Sequence, residues 1–329
     1  MNIAYWKRLG DPTFKQHFRM DRGPFESLVV VVGRHMSDNG LLQRQGMPID
    51  EALMMTLWAL ATPDSFRSTA VTFRKKGRGS VHNQYRTMIK VLCDLRQKYI
   101  QWPSRWEKQV IARNFYDMYG YPSVLGCIDG THIRMTAPLE QPQRYVNRHH
   151  DYSVLVQAVC DHRLLFRDIF VGQPGAVGDV RMFQRSPLGI QLFRRLDLTD
   201  DLHILGDGAY PLSSKLLVPY RDYGNLTQRQ RFHNYHLSRC RATIERAFAL
   251  LKQKWRRLKF FPSLSIEYAN MHIVACMVLH NFIILEEQYE DFEDEPDMVP
   301  DDVTDQQLAQ QEREEGILKR NYIAALLHP

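Results

Sequence analysis

Residues 124–138 read VLGCIDGTHIRMTAP, and residues 204–210 read ILGDGAY. Each is a short apolar run that closes on Asp-Gly. The spacing predicts strands over 123–129 and 203–206, with Asp129 and Asp207 at their ends. A strand end aims a carboxylate out of the sheet, and the following glycine lets the backbone turn sharply. Further strands are predicted at 131–137, 152–161 and 165–171, and helices after Asp179 and Ser213. A long amphipathic helix is predicted over 238–258, its apolar stripe formed by Ile244, Phe248, Leu251, Trp255 and Leu258. Residues 265–287 are apolar on most sides, which predicts a buried helix. Together, residues 116–285 read as one mixed α/β domain.

Upstream, residues 1–115 read as mostly helical. Short helices are predicted at 13–20 and 25–35, separated by Gly23-Pro24, and a stronger one at 48–61. Another short helix spans 65–74. The breaker Lys75-Lys76-Gly77-Arg78-Gly79 follows, and Ser80 is a natural N-cap for a helix from 81 to about 97. Two short helices, a basic turn and a longer helix outline a helix-turn-helix. On its second helix His82, Asn83, Gln84, Arg86 and Lys90 are the candidates to meet bases and phosphates. An ordinary helical bundle would look the same.

The net charge of +6 understates how basic the body is. From Glu286 onward there are 14 acidic and three basic residues, which leaves a net of +17 over residues 1–285. A body that basic points to a polyanionic partner, nucleic acid first. Residues 286–329 read as an acidic, disordered tail, because they carry little to bury. The five cysteines are scattered and never form a C-x-x-C pair, as expected of reduced thiols in a cytosolic or nuclear protein rather than a zinc finger. The longest apolar run, 271–285, is broken by His272, His280 and Asn281 and is shorter than the roughly 20 residues a membrane span takes. The first residues lack a secretory signal, so no membrane partner is expected.

Glu245 lies beside Ile244 on the boundary of its helix stripe, where it can face a sheet edge. Lys252, Lys254, Arg256 and Arg257 crowd the next turns and could meet phosphates. Three carboxylates suit phosphodiester chemistry, because hard divalent cations prefer oxygen ligands and two of them can serve an in-line displacement. Read alone, however, Asp129 and Asp207 are turn residues as readily as ligands, and Glu245 is a surface residue.

Four strings resolve that ambiguity: VLGCIDGTHIRMTAP (124–138), YVNRHHDYSVLVQAVCDHRLLFRDIFVGQPGAVGD (145–179), ILGDGAYPLSSKLLVPYRD (204–222) and FHNYHLSRCRATIERAFALLKQKWRRL (232–258). In this order and spacing they resemble the PIF/Harbinger transposases and the nuclease derived from them in vertebrates. FKQHFRMDRGPFESLV (14–29) and MHIVACMVLHNFIILEE (271–287) resemble the family's terminal segments. The resemblance implies an RNase H-like catalytic domain with an N-terminal helix-turn-helix-like region. It also implies a DDE triad that holds two Mg²⁺ or Mn²⁺ ions and cuts DNA. The family's D-G-T-H motif falls on Asp129, its G-D-x-x-Y on Asp207 and its I-E-R-x-F on Glu245, at intervals of 78 and 38 residues. It implies in addition a Myb-like DNA-binding partner and a nuclear location with shuttling to the cytoplasm, and it leaves a homo-oligomer open. Ala249 stands where the family usually has Gly, and His233 alters the usual approach to the 234–236 segment.

Two functions follow from this sequence. One is an active endonuclease or transposase, with strand transfer as an extension of cutting. The other is a domesticated adaptor that binds DNA or a Myb-like partner without cutting. Asp179 fits the family's G-S-x-x-D position only as GAVGD, so it is either a helix cap or a fourth acid. His132 could touch substrate or be structural. Tyr145, Asn147 and Arg148 could contact a phosphate or order their loop. His280 and Asn281 are expected to satisfy internal hydrogen bonds.

Overall fold

The structure, a computed structural model, describes residues 3–42, 46–75, 77–192, 201–262, 265–287 and 305–327. It opens with helices α1 (Ile3–Lys7), α2 (Asp11–Phe18), α3 (Arg22–Asp38), α4 (Ile49–Ala61), α5 (Phe66–Thr72), α6 (Arg78–Asp94), α7 (Arg96–Tyr99) and α8 (Arg105–Tyr119). Strands β1 (Val124–Arg134), β2 (Ser153–Cys160) and β3 (Phe166–Pro174) follow, then α9 (Asp179–Arg185), α10 (Pro187–Leu192), β4 (His203–Leu205) and β5 (Leu216–Leu217). The chain closes with α11 (Gln228–Lys254), α12 (Ile266–Glu287) and α13 (Asp305–Leu327).

Two compact units result. One comprises Met1–Tyr99, Ile133–Pro142 and Leu250–Glu290, and the other Ile100–His132, Gln143–Ala249 and Asp291–Pro329. The grouping differs from the expected boundary near residue 115, and each unit gathers segments distant in sequence. Arg167 bridges Glu107 at 3.0 Å and the fully buried Asp161 at 2.8 Å, which ties α8 to the β2–β3 hairpin. Arg257 donates to the carbonyls of Ala59 at 2.6 Å and Asp64 at 2.7 Å, which ties the segment after α11 to α4. Arg257 is thereby spent on structure and is not the phosphate contact the sequence suggested.

In the first unit, α4 is buried nearly all round through Ala52, Leu53, Met54, Leu57 and Leu60. Helix α6 turns Val81, Tyr85, Met88, Ile89 and Leu92 inward, as its spacing predicts. It begins at Arg78 with Gly77 as N-cap, so Ser80 is already inside the helix. Asn83, Arg86 and Lys90 are exposed, whereas His82 packs edge-on against Phe66 and the Gln84 Oε1 is buried. Helix α12 is longer than the apolar run expected at 271–285. Among the described residues it alone has the length and apolarity of a membrane span, and most of it is buried inside this unit. It packs against α3, α6 and α7, so its apolar surface is spent on the core. Asn281 donates to Tyr99 O at 2.8 Å, an internal hydrogen bond as expected.

The second unit is built on a five-stranded mixed sheet of order β3-β2-β1-β4-β5. Strands β2 and β3 are antiparallel, while β4 runs parallel to both β1 and β5. β2 is buried along its whole length, which accounts for its near-continuous apolar sequence. Three expectations are corrected here. β1 runs unbroken through Asp129 to Arg134, without a turn at Gly130, because neither Gly130 nor Gly208 takes the left-handed φ such a turn would use. After Ser213 comes β5 and not a helix. The Ser213 hydroxyl accepts from Leu216 N at 3.0 Å, making a turn that sends Leu216 and Leu217 to pair with Ile204 and Leu205.

The third correction concerns 286–329, which is not uniformly a disordered tail. Glu286 and Glu287 complete α12, and 305–327 form α13. α13 lies against β5 and buries Ile323 and Ala324. Glu312 accepts from Ser214 at 2.7 Å, Asn321 accepts from Tyr220 at 2.7 Å, and the Arg320 guanidinium lies 4.0 Å over the Tyr220 ring. The expectation for 288–304 falls outside the described residues.

Candidate active site

Register brings the two aspartates together. β1 and β4 are paired as far as Cys127 and Leu205. Asp129 and Asp207 each lie two residues further on, so they leave neighbouring parallel strands at one level. Strand neighbours are about 4.8 Å apart, and a two-residue step keeps the face. Asp129 accepts from Gly130 N at 2.8 Å, and Asp207 accepts from Ala209 N at 2.9 Å. These local bonds aim each carboxylate.

Helix α11 is set against β1 by the Cys127 thiol, which donates to Cys240 O at 3.2 Å. The next residue, Arg241, reaches Asp129 Oδ2 with its Nη2 at 3.1 Å. One turn later Glu245 lies 3.8 Å from the same nitrogen. Glu245 is thus joined to Asp129 through Arg241, and 61% of its side chain faces solvent. Arg241 was not singled out by sequence reasoning. Its i,i+4 spacing from Glu245 on a predicted helix was the available signal.

Asp179 was open between a helix cap and a fourth acid. The N-cap of α9 is Gly178, and Asp179 is the first helical residue rather than the cap. Its carboxylate occupies the space above Gly130, where a Cβ would overlap it. The glycine after Asp129 therefore serves close approach rather than a turn. Asp179 is a fourth acid of this cluster.

The electrostatics follow from that crowding. Burial lifts the Asp129 carboxyl to about 6, against an ordinary 3.8. Arg241 and the Gly130 N–H pull it down, and Asp207 and Asp179 push it up. Burial and then Asp207 also raise Asp179, opposed by Arg148. Burial, Asp179, Asp129 and Asp207 together push Tyr210 well above its ordinary range. The Tyr210 hydroxyl and the Arg241 Nε are buried without hydrogen-bond partners among the described residues. Three hard oxygen donors short of positive charge, beside an orphaned hydroxyl, suit a divalent cation by donor chemistry. Among the described residues, no three His, Cys, Asp or Glu side chains are closely enough grouped to hold one as they are.

The other candidates divide. His132 Nδ1 is 3.0 Å from Ser153 Oγ. Asn147 is buried, accepts from His149 N and Asp151 N, and donates to Ser153, so it orders its loop. Arg148 is exposed and acts on Asp179 only through its charge. His233 is buried, with Nε2 2.8 Å from Tyr121 Oη, a structural position.

Residues 128–281, which contain all four acids, match the family described as DDE superfamily endonuclease. This part of the chain is a DDE superfamily endonuclease domain, and a nuclease-type function comes with it. The chain is 25% identical to the Arabidopsis thaliana protein Antagonist of Like Heterochromatin Protein 1, over 85% of this chain and 77% of the relative. It is 24% identical to an Arabidopsis ALP1-like protein, over 92% and 75%. It is 26% identical to the human "Putative nuclease HARBI1", over 77% and 72%. No solved structure gives a significant match.

Proposed function

We propose that the chain is a divalent-metal-dependent DNA endonuclease of the transposase type, acting through Asp129, Asp207 and Glu245 with Asp179 beside them. The observation that carries this reading is the pair Asp129–Asp207, delivered by strand register to one level of a sheet. The strand order and the parallel β1–β4–β5 set support an RNase H-like reading of that sheet. Asp129 and Asp207 would hold the cations, and Asp179 or Glu245 would complete the set. When bound, Mg²⁺ or Mn²⁺ activates the attacking water and stabilises the departing oxygen. Arg241 keeps Asp129 ionised and oriented, and its free Nε is a donor for a phosphate oxygen. The buried Tyr210 hydroxyl offers a further donor at the same place.

In this reading the α5–α6 pair is a helix-turn-helix that contacts DNA through Asn83, Arg86 and Lys90. A Myb-like protein brings the chain to its site in the nucleus. The reading is tested by nicking of supercoiled plasmid in Mn²⁺ or Mg²⁺. Asp129→Asn should lose cleavage by a factor of about 10² or more while still binding DNA. Cleavage at the wild-type rate would remove Asp129 from the centre.

A second reading has the exposure of Glu245 behind it. In it the fold is kept for binding without cutting, and the Arabidopsis relative, named as an antagonist of like heterochromatin protein 1, is the parallel. Absence of cleavage in wild type with every metal and substrate, together with recovery of a Myb-like protein, would favour it.

A further inference from the structure

In the first unit, Pro12, Lys15, Gln16 and Arg19 of the α2 region face Leu250, Gln253, Lys254 and Glu287 across a cleft of about 400 Å³. Its charges are unevenly matched. Lys15 is committed, at 2.6 Å from Asp21 and 3.7 Å from Glu287. Arg19 is different. It caps α2 in the left-handed region (φ 64°), a costly conformation for a side chain of this kind. Its Nε is buried without a hydrogen-bond partner among the described residues. Burial and then the neighbouring Arg256 destabilise its charge. Lys254 is half-buried and forms no ion pair among the described residues, and burial lowers its pKa despite Glu287. Arg19 thus has a buried, unpartnered Nε and Lys254 has no carboxylate at ion-pair distance among the described residues, beside the exposed Lys15.

We propose that this cleft takes one nucleotide of a DNA strand, with its phosphate held between Arg19 and Lys254. The volume is of single-nucleotide size and within the usual range of ligand sites. A guanidinium fork and an ammonium suit phosphate oxygens. Pro12, Leu250 and the side-chain stems give an apolar wall for sugar or base, and the amides of Gln16 and Gln253 can meet polar edges. The three cations Lys15, Arg19 and Lys254 face the single carboxylate of Glu287 in the cleft, with Asp21 beside Lys15, so the cleft has cationic capacity to spare. This inference rests on DNA being the partner, and it adds a site in a different unit from the acids.

The test measures binding of a fluorescein-labelled DNA duplex to the full chain in EDTA, from about 50 to about 200 mM salt. Arg19→Gln with Lys254→Gln should weaken binding about tenfold and make the slope of log K against log salt shallower by about 1 to 2. A matched double variant at exposed arginines, Arg8→Gln with Arg34→Gln, should change both less. Gln253→Glu places an anion in the cleft without removing any packing cation, and should weaken binding in the same direction. Melting temperatures check that the variants are folded. If the cleft variants behave like the Arg8/Arg34 control, or lose only affinity for a poly-glutamate peptide, the proposal is overturned. If wild type itself has no affinity for DNA, the DNA reading of the whole chain falls with it.

Discussion

At the residue scale, Asp129 holds its proton up to about pH 6, against 3.8 for an ordinary carboxyl. Between those values the folded chain keeps a proton that the unfolded chain has released. Ionising Asp129 therefore weakens the fold as pH rises through that window, and above it the cost stays constant at on the order of 1–3 kcal/mol. Asp129→Asn removes this cost. In metal-free buffer the variant should melt higher than wild type at neutral pH, and the gain should vanish toward about pH 4. A variant that melts at or below wild type at neutral pH would mean the site is not charge-crowded. Asp129 and Asp207 were legible in sequence because each ends an apolar run with Asp-Gly. Asp179 was legible only as a choice between helix cap and fourth acid, because its approach depends on the side chain that Gly130 lacks. The exposure of Glu245 was not legible, since helix spacing places it on a boundary without saying what covers it.

At the element scale, α4, α6 and α12 were legible from apolar spacing within a few residues of their ends, whereas α11 begins at Gln228, ten residues before the start expected at 238, because its first turns are polar and carry no stripe to read. β5 and α13 were not. A two-residue strand has no period to read, and α13 carries its few buried residues among charges. What fixes α13 is contact with a distant segment. A Cβ on Gly316 would stand 2.6 Å from the Ser213 carbonyl carbon and 2.8 Å from its Cα. This reverses an ordinary expectation. In an isolated helix, Gly→Ala stabilises by about 1 kcal/mol. Here Gly316→Ala should destabilise by about 1–3 kcal/mol, as overpacking does. Limited proteolysis of the C-terminal helix and the melting temperature would read the change. A gain in stability would show that α13 does not rest on Ser213.

At the scale of the whole molecule, charge is divided along the chain. Residues 1–285 carry a net +17, and eight acidic residues with no basic one lie between 288 and 304. Replacing those eight with Asn and Gln should tighten non-specific DNA binding at low salt, and the gain should fade as salt rises past about 0.2 M. Equal affinities across the titration would leave the acidic stretch without this role. The basic body was legible from composition, but the division into two units was not, because each unit gathers segments far apart in sequence, as the contacts of Arg167 with Glu107 and of Arg257 with Ala59 show. The meeting of Asp129 with Asp207 carries one more consequence. These residues are 78 positions apart, and only the parallel pairing of β1 with β4 aligns them. Such long-range pairing is slow to form, and a slip of one residue would turn one acid to the opposite face. A partly folded chain therefore carries no acid pair at all, and under the function proposed above the newly made protein would stay chemically silent until its sheet has closed.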